Sequence, residues 1–417
     1  MRYVGIDWAD EDHKVCILDE EGEVISATSI PHSREGFLKL LALLRGLSTP
    51  TPDLDTDPQE ILIALETDKG LLVDFLLIHG YPVYGLNPKV VDRYRERYSV
   101  AKRKSDQFDA FVLANILRTD RHRFRPILPD SELIRELRLL TRDHKKLVKE
   151  RTRLANQLIG CLKEYYPAAV HLFCKVDQPL TLEFLKRYPT DEKARRMPKE
   201  ELIKLLAKYR NSKEDAEKKY RLLHEPQIEV GPEVVRAKSR YMLSLVRRLE
   251  VVLEEIDHYE EEIKRLLVEH PDSELFLSLP GAGEILAARM LAEIGDNPYR
   301  YRALQELRCL AGTAPVTLAS GRFYHRVRFR RACNKELRDA LQLQAFLSLS
   351  RCPWAREYYD RKRGQGKAHQ ESLRMLADRW VRIIFAMRRD RRCYDEEHHL
   401  RMREEHAARG LAVPSSS

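Results

Sequence analysis

Apolar positions change their period along this chain. Up to about residue 86 they come as short runs rich in Val, Ile and Leu, at 3–7, 14–19 and 24–30, with Glu21-Gly22 as a turn between the second and third. Such runs predict three adjacent strands in an antiparallel meander. A helical stretch at 33–44 follows, then a Pro/Asp-rich loop at 48–58, an apolar strand at 61–66, a helix at about 70–79 and a fifth strand at 81–86.

Over 131–270 the period lengthens. Leu133, Leu137, Leu140, Leu147, Leu154 and Leu158 fall on alternating four-and-three spacing, with His144 and Arg151 in two seam positions. Leu245, Leu249, Val252, Ile256, Tyr259, Ile263 and Leu266 repeat it. Heptads sustained this long predict a coiled coil, either folded back on itself or shared with another protomer. The polar, Pro-punctuated stretch at 171–232 reads as a helical insert. The region from 273 opens with Leu279-Pro-Gly-Ala-Gly283 and an apolar helix at 285–294, and the tail from Arg401 reads as frayed. The fold class is therefore α/β plus α. Residues 1–125 form a domain whose order βββαβαβ is that of a ribonuclease-H-like sheet, 126–272 a coiled-coil domain, 273–400 a mainly helical C-terminal domain, and 401–417 a tail.

Composition changes the picture through charge. The 417 residues hold 74 Lys and Arg against 65 Asp and Glu, a net charge of +9 that favours a polyanionic partner. The distribution is uneven: 1–66 hold 5 basic and 14 acidic residues, 289–363 hold 16 and 7. One end could hold metal and the other phosphates. Seven widely spaced cysteines without a C-x-x-C pair argue against a disulfide framework or a structural zinc site, so a reducing cytosol is expected. Asp7 and Asp10 stand where a signal peptide needs an apolar run, and Asp74 breaks the apolar stretch 71–78, so neither secretion nor membrane spanning is expected.

The acidic end carries candidate chemistry. Asp7 ends the first strand and Glu66 the fourth, and Asp106 and Asp109 lie three apart at the start of a predicted helix at 106–117, on one face. In a ribonuclease-H-like sheet the first and fourth strands are neighbours, so four carboxylates could meet at one edge. Such a cluster repels itself unless cations fill it, and two Mg²⁺ ions about 4 Å apart suit phosphodiester chemistry. The structural alternative is an ordinary solvated turn Asp and a helix start that favours acids. Lys102, Arg103 and Lys104 abut this helix, in a segment, 86–126, with 11 basic and 5 acidic residues that could grip a phosphate backbone or form a solvated face.

Pro280-Gly281-Ala282-Gly283 resembles a helix-hairpin-helix turn, in which Gly281 and Gly283 would let backbone amides approach a phosphate. Glycine is also common in plain αα turns. Further on, Ser320-Gly321-Arg322 leads into Arg326, Arg328, Arg330 and Arg331, and the alternation over 325–330 predicts a short strand with one basic face. A serine hydroxyl on a Gly-flanked turn can attack a phosphodiester when arginines or metal stabilise the charge, although most Ser-Gly pairs are simple turns. His325 has no evident Asp partner for a triad.

Gly5-Ile-Asp7, Leu65-Glu66-Thr67, Lys104-Ser105-Asp106-Gln-Phe-Asp109-Ala110, Leu279-Pro-Gly-Ala-Gly283 and Ser320-Gly321 together resemble the DEDD-type insertion-sequence transposases related to the Piv invertase, recombinases whose members are guided by a bridge RNA. The resemblance implies a RuvC-like domain in which Asp7, Glu66, Asp106 and Asp109 act with Mg²⁺, and a C-terminal domain whose serine, best matched by Ser320, becomes joined to DNA. Thr313 and Thr317 are further hydroxyls on the same basic stretch. It also implies a composite active site between protomers of a dimer assembling to a tetramer, donor and target DNA and a noncoding bridge RNA as partners, and action at the nucleoid in a prokaryotic cytoplasm. The expectation is a site-specific DNA recombinase. Its rivals are a RuvC-like, structure-selective nuclease using water as nucleophile, and a non-enzymatic nucleic-acid-binding protein.

Overall fold

The N-terminal apolar runs become strands β1 (Arg2–Asp7), β2 (Asp12–Leu18) and β3 (Val24–Pro31), followed by α1 (Arg34–Arg45), β4 (Ile61–Leu65), α2 (Leu71–Ile78), β5 (Val83–Gly85), α3 (Pro88–Arg95) and α4 (Asp106–Asp120). The computed structural model describes residues 1–47, 60–98, 105–173, 175–209, 213–320 and 324–411. The five strands form one sheet in the order β3-β2-β1-β4-β5. β1 to β3 make the antiparallel meander, while β4 runs parallel to both β1 and β5. All five residues of β4 are buried, as a strand covered on both faces requires, whereas edge strand β3 exposes several of its positions.

The period of two sorts the sheet's side chains between two cores. Val4, Ile6, Ile63 and Leu65 pack with Phe37 and Leu40 of α1 and Leu72 and Leu76 of α2. Tyr3, Cys16, Leu62 and Ala64 pack on the other side with Ala110, Leu113 and Leu117 of α4. At the middle of β1 this second face carries no side chain at all: a Cβ on Gly5 would lie 1.9 Å from the Ala110 carbonyl oxygen and 2.5 Å from the Ala114 nitrogen. The backbone of α4 rests directly on the backbone of β1.

A histidine pair ties down the loop after β1. The Ala9 amide donates to Nδ1 of buried His13 at 3.3 Å, so that nitrogen carries no proton, and His13 Nε2 donates to His32 Nδ1 at 2.9 Å. Burial first, then the neighbouring His32, push the His13 pKa below its ordinary value, against a smaller upward pull from Asp12. His13 is held neutral.

Two compact units divide at Pro129 and Asp130. In the second, α5 (Glu132–Tyr165) and α11 (Pro232–Glu269) pack against each other along their lengths, so the heptad seam is filled within one chain. Between them lies a helical insert, α6 (Pro167–Leu172), α7 (Pro179–Arg187), α8 (Asp191–Arg195), α9 (Lys199–Lys208) and α10 (Lys213–His224), which shares a core with one end of the α5–α11 pair. The seam of α5 departs from its expected start: Ile134 and Thr141 are buried where Leu133 and Leu140 were expected. The two helices join the C-terminal core at that end, and its demands override the heptad register.

That core holds α12 (Ser273–Leu277), α13 (Glu284–Ile294), α14 (Leu304–Leu310), the hairpin β6 (Val316–Ser320) and β7 (Tyr324–Arg328), α15 (Lys335–Ser348), α16 (Pro353–Gly364), α17 (His369–Asp390) and α18 (Glu396–Leu411). α18 carries the chain through Leu411, so the first part of the tail expected to fray is helical, while 412–417 lie outside the described residues; Glu396 and Glu397 stand in its favourable first turn and the His399 ring packs 4.6 Å from Trp354. Buried acids lock α5 onto this core. Glu293 accepts from Arg142 at 2.6 and 2.8 Å and from Asn334 at 2.7 Å, and Asp130 accepts from Arg300 at 2.7 Å and also pairs with Arg138.

Two outcomes follow for stability. Gly5→Ala destabilises the N-terminal unit by about 1–3 kcal/mol in denaturant melts, the cost of overpacking, whereas Gly160→Ala, on an exposed face of α5 with nothing within 4 Å of the added methyl, leaves stability unchanged or raises it. Because the folded His13 value lies below the ordinary 6.5, the unfolded chain takes up the proton first, so stability is lost as pH falls through that region. Melting temperatures recorded from pH 7.5 down to 5 show this decline, and His13→Gln flattens it.

Candidate active site

The register of β1 against β4 pairs Gly5 with Ala64 and Ile6 with Leu65, so the next residues, Asp7 and Glu66, stand side by side where the two parallel strands end. Ile6 and Leu65 belong to the core under α1 and α2, so the two-residue alternation assigns Asp7 and Glu66 to the face under α4. Helix α4 begins over this edge. Ser105 caps it, accepting from the Phe108 amide at 3.2 Å, and Gln107 Nε2 donates to the carbonyl of Val15, which pairs with Ile6. Asp106 is exposed in the first turn, and Asp109, one turn on and next to the Ala110 that rests on Gly5, is buried. The four acidic positions thus converge on one end of one sheet face.

The surrounding charges matter. Asp109 Oδ1 accepts from Arg95 Nε at 2.7 Å, and the same guanidinium donates to Asp92 at 2.7 Å. Lys14 pairs with Asp7 across β1 and β2, and its ammonium donates to Ser29 Oγ at 2.9 Å. Among the described residues no three His, Cys, Asp or Glu side chains already close on one point as a metal cluster. The donor chemistry nevertheless fits a hard divalent cation: carboxylate oxygens from two adjacent strand ends and one helix turn. Lys102, Arg103 and Lys104, expected beside this edge, lie outside the described residues.

The basic end has its own geometry. β6 and β7 form an antiparallel hairpin in which Ser320, the last residue of β6, pairs with Tyr324, Leu318 with Arg326 and Val316 with Arg328. Gly321 and Arg322 lie outside the described residues. The strand is shorter than the alternation implied: it ends at Arg328, and Arg330 turns back to donate from Nε to the Ala314 carbonyl at 3.3 Å, while Arg328 and Arg331 are exposed. The competing hydroxyls stand apart. Thr313 precedes the hairpin and donates to the Arg308 carbonyl at 3.4 Å, and Thr317 pairs with Val327, out of phase with the positions of Ser320, Arg326 and Arg328.

In the Pro280–Gly283 turn, Gly281 takes a positive φ of 82°, and a Cβ there would sit 3.1 Å from the Leu347 carbonyl oxygen. Buried Gln344 donates to the Pro280 carbonyl at 3.0 Å. This turn is anchored on α15, while Gly283 caps α13 with open space beside it. Sequence reasoning missed Arg95 as the partner of Asp109, because nothing local links positions 14 residues apart on separate helices. It counted Arg95 only as one of a basic segment.

Comparison with known proteins agrees with both ends of the chain. Residues 4–167 match a family model described as a transposase, of the DEDD type, and residues 273–360 match one described as a transposase of the IS116/IS110/IS902 family. The chain is 37% identical over 404 residues to the mini-circle protein named as a transposase for IS117 in Streptomyces coelicolor, covering 95% of each. It is 30% identical to a 44.8 kDa protein of insertion element IS116 from Streptomyces clavuligerus, over 94% of this chain and 96% of that one. It is 26% identical to a 42 kDa protein of IS900 from Mycobacterium paratuberculosis, over the same shares. No described helix is long and apolar enough to cross a membrane. The two family models and a similarity that runs over 95% of the chain lead to one conclusion: the chain belongs to the IS110 family of insertion-element transposases.

Proposed function

We propose that this transposase is a site-specific DNA recombinase that cuts and rejoins strands through a serine–DNA bond. The observation that carries the reading is the adjacency of Asp7 and Glu66 at the ends of β1 and β4, beneath the first turn of α4 with Asp106 and Asp109. Together with the sheet order β3-β2-β1-β4-β5, it supports assignment to the RNase H/RuvC-like class. Asp7, Glu66, Asp106 and Asp109 would hold Mg²⁺, which when bound supplies positive charge to the oxygens of a scissile phosphodiester. Asp109 is then the carboxylate that exchanges Arg95 for the cation.

Ser320 is the nucleophile in this reading. Its hydroxyl loses a proton as Oγ bonds to phosphorus, the bond from phosphorus to the leaving deoxyribose oxygen breaks, and that oxygen gains a proton. One phosphodiester replaces another, so the strands rejoin by the reverse attack without a nucleotide cofactor. Arg322, Arg326, Arg328 and Arg331 would steady the phosphate charge, and Gly281 and Gly283 would offer the α13 terminus to the backbone. A bridge RNA would choose donor and target, and Lys102, Arg103 and Lys104 would grip the nucleic acid near the acidic edge. In this reading dimers assemble to a tetramer in which one protomer's acids meet another's serine.

A denaturing gel for a covalent protein–DNA adduct tests this, with junction DNA of the element, its flanking noncoding RNA and Mg²⁺. Wild type forms the adduct, Ser320→Ala and Asp106→Ala reduce it below detection, and omission of the RNA abolishes it. Cleavage without an adduct, surviving Ser320→Ala, would make the protein a metal-dependent nuclease. DNA processing unchanged in Asp7→Ala and Glu66→Ala would make the acidic edge structural.

A further inference from the structure

Helices α16 and α17 carry a second group of cations, apart from the hairpin and the glycine turn. Three lie over one ring: Arg361, Lys362 and Arg379 come within 5.5, 5.8 and 5.5 Å of the centroid of Tyr358. Two more share the next aromatic, with Arg374 at 4.9 Å and Arg338 at 5.5 Å from the centroid of Phe329. Phe329 directly follows Arg328, so the group continues from β7 across α15 and α17 to α16.

The carboxylates of these two helices are committed elsewhere. Asp360 pairs with Arg356, Glu371 with Lys367, Asp378 with Arg308 and Arg382, and Asp390 with Arg389. Glu357, the remaining acid, makes no ion pair within 4.0 Å with any of these cations. Arg361, Lys362, Arg374 and Arg379 therefore have no carboxylate partner among the described residues. An aromatic ring lies beside each of them, and Lys362 also donates to Gln365 Oε1 at 2.9 Å. A cation beside a ring is not neutralised by it, as it would be by a carboxylate, so its N–H donors remain available to the oxygens of a phosphate.

We propose that Arg361, Lys362, Arg379 and Arg374, steadied on Tyr358 and Phe329, form a second DNA-contact surface that grips the phosphate backbone of duplex DNA independently of sequence. It rests on the chain acting on DNA, and not on Ser320 or on any cation at the acidic edge. Backbone contact is favoured over base stacking because Tyr358 is only 8% exposed, and Phe329, 41% exposed, has Arg374 and Arg338 within 4.9 and 5.5 Å of its centroid, so neither ring is a bare platform for an unpaired base. A duplex is thereby favoured over a single strand.

The experiment is a salt titration of binding by the full chain to non-cognate duplex DNA. Each lost phosphate contact reduces the slope of log K against log salt by about 0.9. R361Q/K362Q/R379Q lowers the slope by roughly 2 to 3 and weakens binding alike on unrelated sequences. R153Q/R196Q/R265Q, the same charge change at arginines paired with Glu150, Glu192 and Glu262, leaves it unchanged. Tyr358→Leu alters no charge yet weakens duplex binding, and Tyr358→Phe restores it, which a purely delocalised charge effect would not produce. An unchanged slope in a folded R361Q/K362Q/R379Q protein overturns the proposal, as does an equal drop in the paired-arginine control or a loss confined to duplex RNA. Adduct formation on saturating junction DNA reads the serine chemistry separately.

Discussion

One close approach governs the acidic edge: the backbone of α4 resting on Gly5. Helices normally stand off a sheet by the length of their side chains, yet here even a single methyl group would overlap the Ala110 carbonyl oxygen. The consequence extends along both elements. Two residues beyond Gly5 the strand ends in Asp7, and one residue before Ala110 the helix carries Asp109, so the contact that removes the gap also brings acids from the two elements to one level. Glu66 reaches it through the parallel pairing of β4 with β1, and Asp106 one turn earlier on α4. None of the four positions is set by its own side chain. They follow from a glycine, a strand register and the period of a helix.

Electrostatics then decides how such an edge is held. Like charges brought together must be separated, protonated or paired, and here Arg95 takes up Asp109 while also holding Asp92. That one guanidinium joins α3 to α4 through two carboxylates. His13 contributes from the other side, fixing the loop beyond Asp7 through a neutral ring.

Much of this was legible in the sequence because the strands are short, apolar and separated by turn residues, and because Asp106 and Asp109 lie within one helical turn. The adjacency of Asp7 and Glu66 needed only the assumption that the first and fourth strands pair. The seam of α5 was readable in kind but shifted in detail: Ile134 and Thr141 are buried in place of Leu133 and Leu140, since the base of the helix answers to α13 and α15 rather than to α11 alone. Arg95 with Asp109, and Glu293 between Arg142 and Asn334, were not readable, since a partner on another helix leaves no local spacing. The start of the tail misled because the Ser-rich end of the chain suggested fraying, whereas α18, anchored ahead of it by the His399 ring against Trp354, continues through Leu411.

The two ends of the chain hold charge in opposite ways, and the difference bears on how a transposase handles phosphate. At the acidic edge a buried carboxylate, Asp109, is paired with Arg95. On α16 and α17 the cations sit on Tyr358 and Phe329 and stay charged. A surface meant only for stability would pair those cations with acids, as Arg356 is paired with Asp360 and Arg265 with Glu262. Leaving four of them on aromatic rings keeps the C-terminal unit electropositive where it meets solvent, so a polyanion can displace counterions there without first breaking protein ion pairs.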